Sequence, residues 1–216
     1  MNQILYQDFT KDKLIFSYPR RMKLLFIVSI LIIIICIIVF VYLRYNSFKN
    51  QKIAENLKSK FEIQNLYTSK NSNYISQKLS SDTRNSYYFV IGLLKIEKIN
   101  LTYPILSETS DDLLEIAPCR FYGPMPNEVG NLCIAGHNYA NQTHFAKIHL
   151  LEVGDIIQIY DLSGNKINYQ IYSKKEISSQ DTSCLSQDTN SLREITLITC
   201  KAIKGNRIVI KAKENR

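Results

Sequence analysis

Apolar positions along the chain fall into three regimes. Residues 24–43, LLFIVSILIIIICIIVFVYL, carry no charge, and at 1.5 Å rise per residue such a run matches a bilayer's hydrocarbon core of about 30 Å. They predict one membrane-spanning helix. Next, Ile53, Leu57 and Phe61 recur every four residues among Lys, Glu, Asn and Gln, the spacing of an amphipathic helix. Residues 67–85 then turn polar, rich in Ser, Asn and Lys, and read as a spacer. From about Tyr87 the third regime begins, a series of short β-rich runs: FVIGLLKI, LTYPIL, NLCIAGH, DIIQIYDL, NKINYQIYS, EITLITC and NRIVIKAK. Period-two alternation shows in Ile157 and Ile159 and again in Tyr169 and Ile171, predicting an antiparallel sandwich or barrel. Short helices are expected over 111–116 and 145–150.

This patterning divides the chain into an N-terminal segment 1–23, a membrane span 24–43, a helical and polar spacer 44–86, and a β domain 87–216, whose length suffices for its own core. The bulky end of the apolar run, Val41, Tyr42 and Leu43 leading into Arg44, favours an uncleaved anchor over a signal peptide. Arg20, Arg21 and Lys23 crowd one flank while Arg44 stands alone on the other, placing the N-terminus in the cytoplasm and the β domain outside. The formal charge of +8 is dispersed, with no basic run or stripe, so no nucleic-acid partner is expected. A basic membrane-proximal protein accounts for it.

Five cysteines (Cys36, Cys119, Cys133, Cys184, Cys200) form no C-x-x-C pair, which argues against a zinc site or a disulfide scaffold. Cys119 and Cys133 are the one pair considered for a bridge, if their Cα atoms come within about 7 Å. Cys200 ends the run TLITC. Alternation puts Thr196, Ile198 and Cys200 on one strand face, with Ile195, Leu197 and Thr199 on the other. The link KAIKGN, with Gly205 free to take a positive φ, suits a hairpin that sets Arg207 opposite Cys200. A guanidinium there favours a thiolate and donates hydrogen bonds to an oxyanion. The plainer alternative is a buried structural cysteine followed by a surface arginine. Upstream, the strand NLCIAGHN ends at His137, a side chain suited to general acid and base work near neutral pH. His144 and His149, in HFAKIHLL, read as surface or packing residues. No H-E-x-x-H or other ligand spacing appears, so no metal and no cofactor is expected.

TLITC followed by NRIVIKAK, and preceded by IAGHN and HFAKI, resembles the sortases, cysteine transpeptidases of Gram-positive bacterial surfaces. The resemblance covers about residues 90–213, including IGLLKIEKINLTYPIL, EVGDIIQIY and DTSCL. It implies an all-β fold, an eight-stranded barrel with short helices, here preceded by one N-terminal transmembrane helix. It implies Cys200 as nucleophile, His137 as general acid and base, and Arg207 as the group that orients substrate and stabilises the oxyanion. The implied enzyme, of cysteine-peptidase type, cleaves an LPxTG-like sorting signal between Thr and Gly through a thioester on Cys200. It then passes the acyl group to an amine of a peptidoglycan precursor. The implied partners are sorting-signal-bearing surface proteins, that precursor amine, and the cell membrane, engaged in a single pass through residues 24–43 with the catalytic domain extracellular.

Short loops favour class D or a class A-like variant. The interval 172–193 is too short for the helical insertion of class B, and Glu128 is the one acid between residues 124 and 131, so no calcium is expected. The chain has no Trp and stops three residues after Lys213, which favours an anchoring over a pilin-polymerising member. Cys133, on the strand face of His137, reads as a small core filler and Cys184 as a replacement for an aliphatic residue. Two other functional classes share these residues: a hydrolytic cysteine peptidase that finishes with water, and a non-enzymatic membrane-anchored binding module in which TLITC is merely a core strand.

Overall fold

The computed structural model describes residues 20–67, 76–78, 87–201 and 205–215. The first nineteen residues, most of the polar stretch 67–85 and residues 202–204 of the KAIKGN link lie outside the described residues. Two compact units are present, dividing between Asn46 and Ser47.

Helix α1, Arg20–Tyr67, contributes to both. Its part in the first unit contains the apolar run, whose side chains are all exposed, and it is long and apolar enough to cross a membrane. No Pro or Gly interrupts it, and Ser29 Oγ donates to Phe26 O at 2.8 Å, so the run's one serine hydroxyl is satisfied within the helix as a lipid environment requires.

In the second unit the later turns of α1 present Ala54, Leu57 and Phe61 as a buried stripe at helical spacing. Ile53, expected on that stripe, is only partly buried, and the smaller Ala54 lets the helix approach closely. The stripe packs with Tyr88, Leu93, Leu106, Leu113 and Cys119. Burial of Leu57 and Phe61 contributes roughly 1.5–3 kcal/mol each.

The strands are β1 (Ser76–Lys78), β2 (Tyr87–Ile96), β3 (Leu101–Leu106), β4 (Cys119–Tyr122), β5 (Gly130–Ala135), β6 (Ile156–Asp161), β7 (Lys166–Ile177), β8 (Arg193–Cys200) and β9 (Arg207–Glu214). They pair in the order β1-β2-β3-β4-β5-β8-β9-β7-β6, and β6 returns to β2. Strands β2 to β9 thus form the expected closed eight-stranded barrel, with β1 added beside β2. Gly92 permits the closure: a Cβ there would lie 2.6 Å from the carbonyl oxygen of Tyr160 on β6.

Ile96, Ile105, Leu132, Ile134, Ile157, Ile159, Ile195, Leu197 and Ile210 fill the interior. Two neighbouring pairs, β3–β4 and β5–β8, are parallel. Parallel neighbours need a crossover, and the β6–β7 segment supplies the one between β5 and β8. The expected short helices appear as α2, Asp111–Leu114, capped by Ser110 Oγ accepting from Leu113 N, and as a single 3-10 turn, Ile148–Leu150.

Candidate active site

The parallel pairing of β5 with β8 sets Ala135 opposite Ile198, so both strands leave the sheet at the same end. Three hydrogen bonds join the two exits. Gly136 N donates to Ile198 O at 3.1 Å, Thr199 Oγ1 donates to Gly136 O at 2.7 Å, and Asn138 Nδ2 donates to Cys200 O at 2.9 Å. His137 sits inside this clasp. A methyl group on Gly136 would lie 2.8 Å from two ring carbons of Phe145, a fully buried side chain, so only glycine lets the turn pass over that ring.

On the other side of Cys200 the β8–β9 ladder pairs it with Arg207, in the register expected from alternation. Gly205 has φ of 66°, the left-handed value its place in the hairpin requires. Lys201 N donates to Asn206 O at 2.7 Å. Glu176 on β7 receives Lys201 Nζ at 2.6 Å and Asn206 Nδ2 at 2.8 Å. These bonds fix the hairpin end on the neighbouring strand, and they hold the Glu176 carboxyl below its ordinary pKa.

Between these strand ends lies a mostly apolar cavity of about 170 Å³, lined by His137, Cys200 and Arg207. Three residues separated by up to seventy positions therefore share one space. Thr109, Leu114 and Phe121 complete its far wall. Sequence patterning missed these three, because they come from the β3–β4 connection and from β4, a strand too short and too exposed to show alternation.

Cys200 is exposed, whereas Cys119, Cys133 and Cys184 are buried and all are free thiols. The bridge considered between Cys119 and Cys133 is absent: Cys119 lies in the cluster beneath α1, and Cys133 packs with Cys184, Ile198 and Val209. Burial pushes the thiols of Cys119 and Cys133 up to about 12 and raises that of Cys184. Of the barrel's thiols, Cys200 alone is placed to meet a substrate.

The loop after His137 returns on itself, with Phe145 N donating to His137 O at 2.9 Å. His144 is only 4% exposed and has φ of 52°. Its ring stands edge-on to Tyr103 and Tyr139, with centroids 5.1 Å away in each case, and Tyr139 in turn lies 5.0 Å from His137. It is thus a packing histidine that supports the loop from beneath. His149 is exposed, and its Nδ1–H donates to Ala146 O at 2.6 Å. Among the described residues no cluster of His, Cys, Asp and Glu could hold a metal.

Comparison with known proteins agrees with this architecture. The family model described as the sortase domain matches residues 94–215, more than half of the chain, and the chain belongs to the sortase family. Sortase A of Bacillus anthracis is 32% identical over 119 residues, covering 54% of this chain and 55% of that protein. Sortase D of Bacillus subtilis (strain 168) is 32% identical over 110 residues, covering 50% and 53%. The chain spans about half the length of the curated relatives it matches. A solved Clostridium perfringens sortase D5 transpeptidase is 31% identical, with a TM-score of 0.57, covering 77% of this chain and 98% of that one. Sortase A from Corynebacterium diphtheriae, a lid mutant, shares the fold at 21% identity and a TM-score of 0.55, covering 75% and 93%. Likeness to both sortase A and sortase D is compatible with the expected subclass.

Proposed function

We propose that the chain is a membrane-anchored cysteine transpeptidase acting on surface proteins that carry an LPxTG-like sorting signal. The reading rests on one observation: Cys200, His137 and Arg207 line a single cavity. Cys200 Sγ attacks the carbonyl carbon of the signal's Thr, and Arg207, its cross-strand partner, donates to the developing oxyanion. His137 protonates the departing glycine amine, the C–N bond breaks, and a thioester remains. An amine of a cell-wall precursor then attacks, loses its proton to His137, and expels the sulfur. Splitting one acyl transfer into two steps is nucleophilic catalysis.

Residues 24–43 serve as the anchor, 44–86 as the connection and 87–216 as the catalytic barrel, outside the membrane. Confinement of enzyme and substrate to one surface raises their effective concentration. The similarity to a Clostridium perfringens transpeptidase supports the reaction type.

The test incubates the chain in detergent with a fluorogenic LPxTG-type peptide, with and without a primary amine, alongside Cys200→Ala, His137→Ala and Arg207→Ala. Amide product that disappears in all three variants is the expected result. Cleavage unaffected by amine would instead establish a hydrolase. A Cys200 that reacts with electrophiles no faster than the buried Cys184, together with no turnover, would leave a binding module.

A further inference from the structure

Cys200 is the last residue of β8 and Arg207 the first of β9, so the two stand at the end of a ladder, where local opening costs least. They are held by different means. Cys200 O receives Asn138 Nδ2 from the β5 exit at 2.9 Å. The Arg207 guanidinium makes no hydrogen bond or ion pair among the described residues, so the backbone that carries it decides where it stands.

That backbone is braced from β7. The β7–β9 ladder sets Ile177 opposite Arg207 and Glu176 opposite Ile208. Alternation therefore puts Glu176, with Lys201 and Asn206, on the sheet face away from the Cys200 and Arg207 side chains, and none of the three lines the catalytic cavity. Each carboxylate oxygen takes one donor: Oε2 accepts from Lys201 Nζ at 2.6 Å and Oε1 from Asn206 Nδ2 at 2.8 Å. Lys201 follows Cys200 and Asn206 precedes Arg207, so a single carboxylate ties both strands of the hairpin to a third strand just beyond the catalytic pair. Past this point the link is open: a Cβ on Gly205 would meet nothing within 4 Å. The Asn206 bond first, and the Lys201 bond second, lower the Glu176 pKa, so the brace is ionised wherever His137 can work as acid and base.

We propose that Glu176 is a positioning residue of the acyl transfer: by holding Lys201 and Asn206 it keeps the Arg207 guanidinium where the oxyanion develops at Cys200. The proposal deepens the transpeptidase reading and rests on it. Both halves of the transfer pass through an oxyanion at that place, and a donor stabilises it only as far as it is already in position. Without the brace the hairpin end opens locally and the unbonded guanidinium leaves its place for part of the time. The oxyanion is absent from the bound ground state, so the loss falls on kcat and spares KM. Glu176 and Lys201 are 41% and 43% exposed, and solvent screening leaves such a pair little weight in global folding.

The test measures kcat and KM for cleavage of an LPxTG-type peptide by the full chain in detergent, with thermal unfolding of the same samples. Glu176→Ala, Glu176→Lys, and Glu176→Lys combined with Lys201→Glu are compared with the unmodified chain. The combined variant restores the ion pair with its charges exchanged, and the Asn206 amide can turn its oxygen toward the new lysine. Outright removal of an oxyanion donor costs about 10²–10³ in rate, and a displaced donor costs less. The expected result is a fall in kcat of roughly three- to thirtyfold for Glu176→Ala and a larger one for Glu176→Lys, with KM changed less than about twofold. Unfolding midpoints should stay close together, and the exchanged pair should recover most of the lost kcat. Equal kcat in all four proteins, a fall in kcat that tracks a fall in unfolding midpoint, or no recovery in the exchanged pair would each overturn the positioning role while leaving the transpeptidase intact. Absence of any turnover by the unmodified chain would sink the transpeptidase reading itself, and the role of Glu176 with it.

Discussion

Lowering the pH from about 8 to about 5 should loosen the loop that carries His137, because His144 cannot accept a proton where it lies. Its ring is 4% exposed, wedged between Tyr103 and Tyr139, and its Nδ1 is buried without a hydrogen-bond partner. Burial, and secondarily the charge of the nearby His137, pull its pKa down to about 4, against a weaker opposing pull from backbone hydrogen bonding to Ile116 and Leu114. An unfolded histidine titrates near 6.5. Between these values the unfolded chain binds a proton that the native chain refuses. The stability from a neutral His144 is therefore complete above about 6.5 and lost as pH falls toward about 4.

Over the whole window the loss approaches about 3 kcal/mol, and at pH 5 it amounts to about 2 kcal/mol. For a protein of this size that corresponds to a fall in Tm of roughly 4–8 °C. Depressed carboxyls such as Asp155 work in a lower window: their contribution is present above about 3.8 and lost below it, so they barely interfere. The comparison is with His144→Asn, since asparagine tolerates the left-handed backbone that His144 adopts at φ of 52°. Thermal unfolding in mild detergent at both pH values, with hydrogen exchange at the His144 and Phe145 amides as a local readout, should show a steeper acid loss in the unmodified chain. Identical pH dependence of the two proteins would refute the reasoning.

Two further substitutions test how the site is held. Gly136→Ala pushes a methyl into the Phe145 ring and should cost about 1–3 kcal/mol by overpacking. Because the strain falls on the turn bearing His137, peptide-cleavage rate per folded molecule should drop as well, and an unaltered rate would contradict the clasp. Asn131 is fully buried: its Nδ2 donates to Cys184 O and Ser186 O, each at 3.0 Å, and its Oδ1 accepts from Thr196 Oγ1 at 2.7 Å. Asn131→Ala should cost roughly 2–4 kcal/mol through the polar groups it leaves unpaired, and limited proteolysis should then cut within residues 178–192. Unchanged proteolysis would mean that Gln187, bonded to the Asn131 backbone on both sides, holds that segment alone.

Local chemistry was plain in the residues. An uninterrupted apolar run announces the long helix, and alternation with the glycine of a short link correctly pairs Cys200 with Arg207. Each is a short-range property, set by the rise of a helix or the pleat of a strand. Alternation failed for β4, where one buried residue, Cys119, is followed by partly or fully exposed ones, so CRFY carries no periodic signal. The amphipathic stripe of α1 was legible in Leu57 and Phe61, but its third buried residue is Ala54 and Ile53 lies at the edge, because which flank of a helical face is covered depends on the surface it meets.

What only the tertiary structure decided is which distant segments become neighbours. His137 and Cys200 meet because β5 and β8 lie parallel and side by side, although the two residues are over sixty positions apart and nothing in either run names the other. That pairing, the burial of His144 and the bonds of Asn131 all arise from closing one barrel over one apolar interior. Closure is a condition on all eight strands together. Periodicity constrains each strand separately, so the sequence alone determined the pieces and their chemistry, and the requirement to bury every inward face at once determined where they meet.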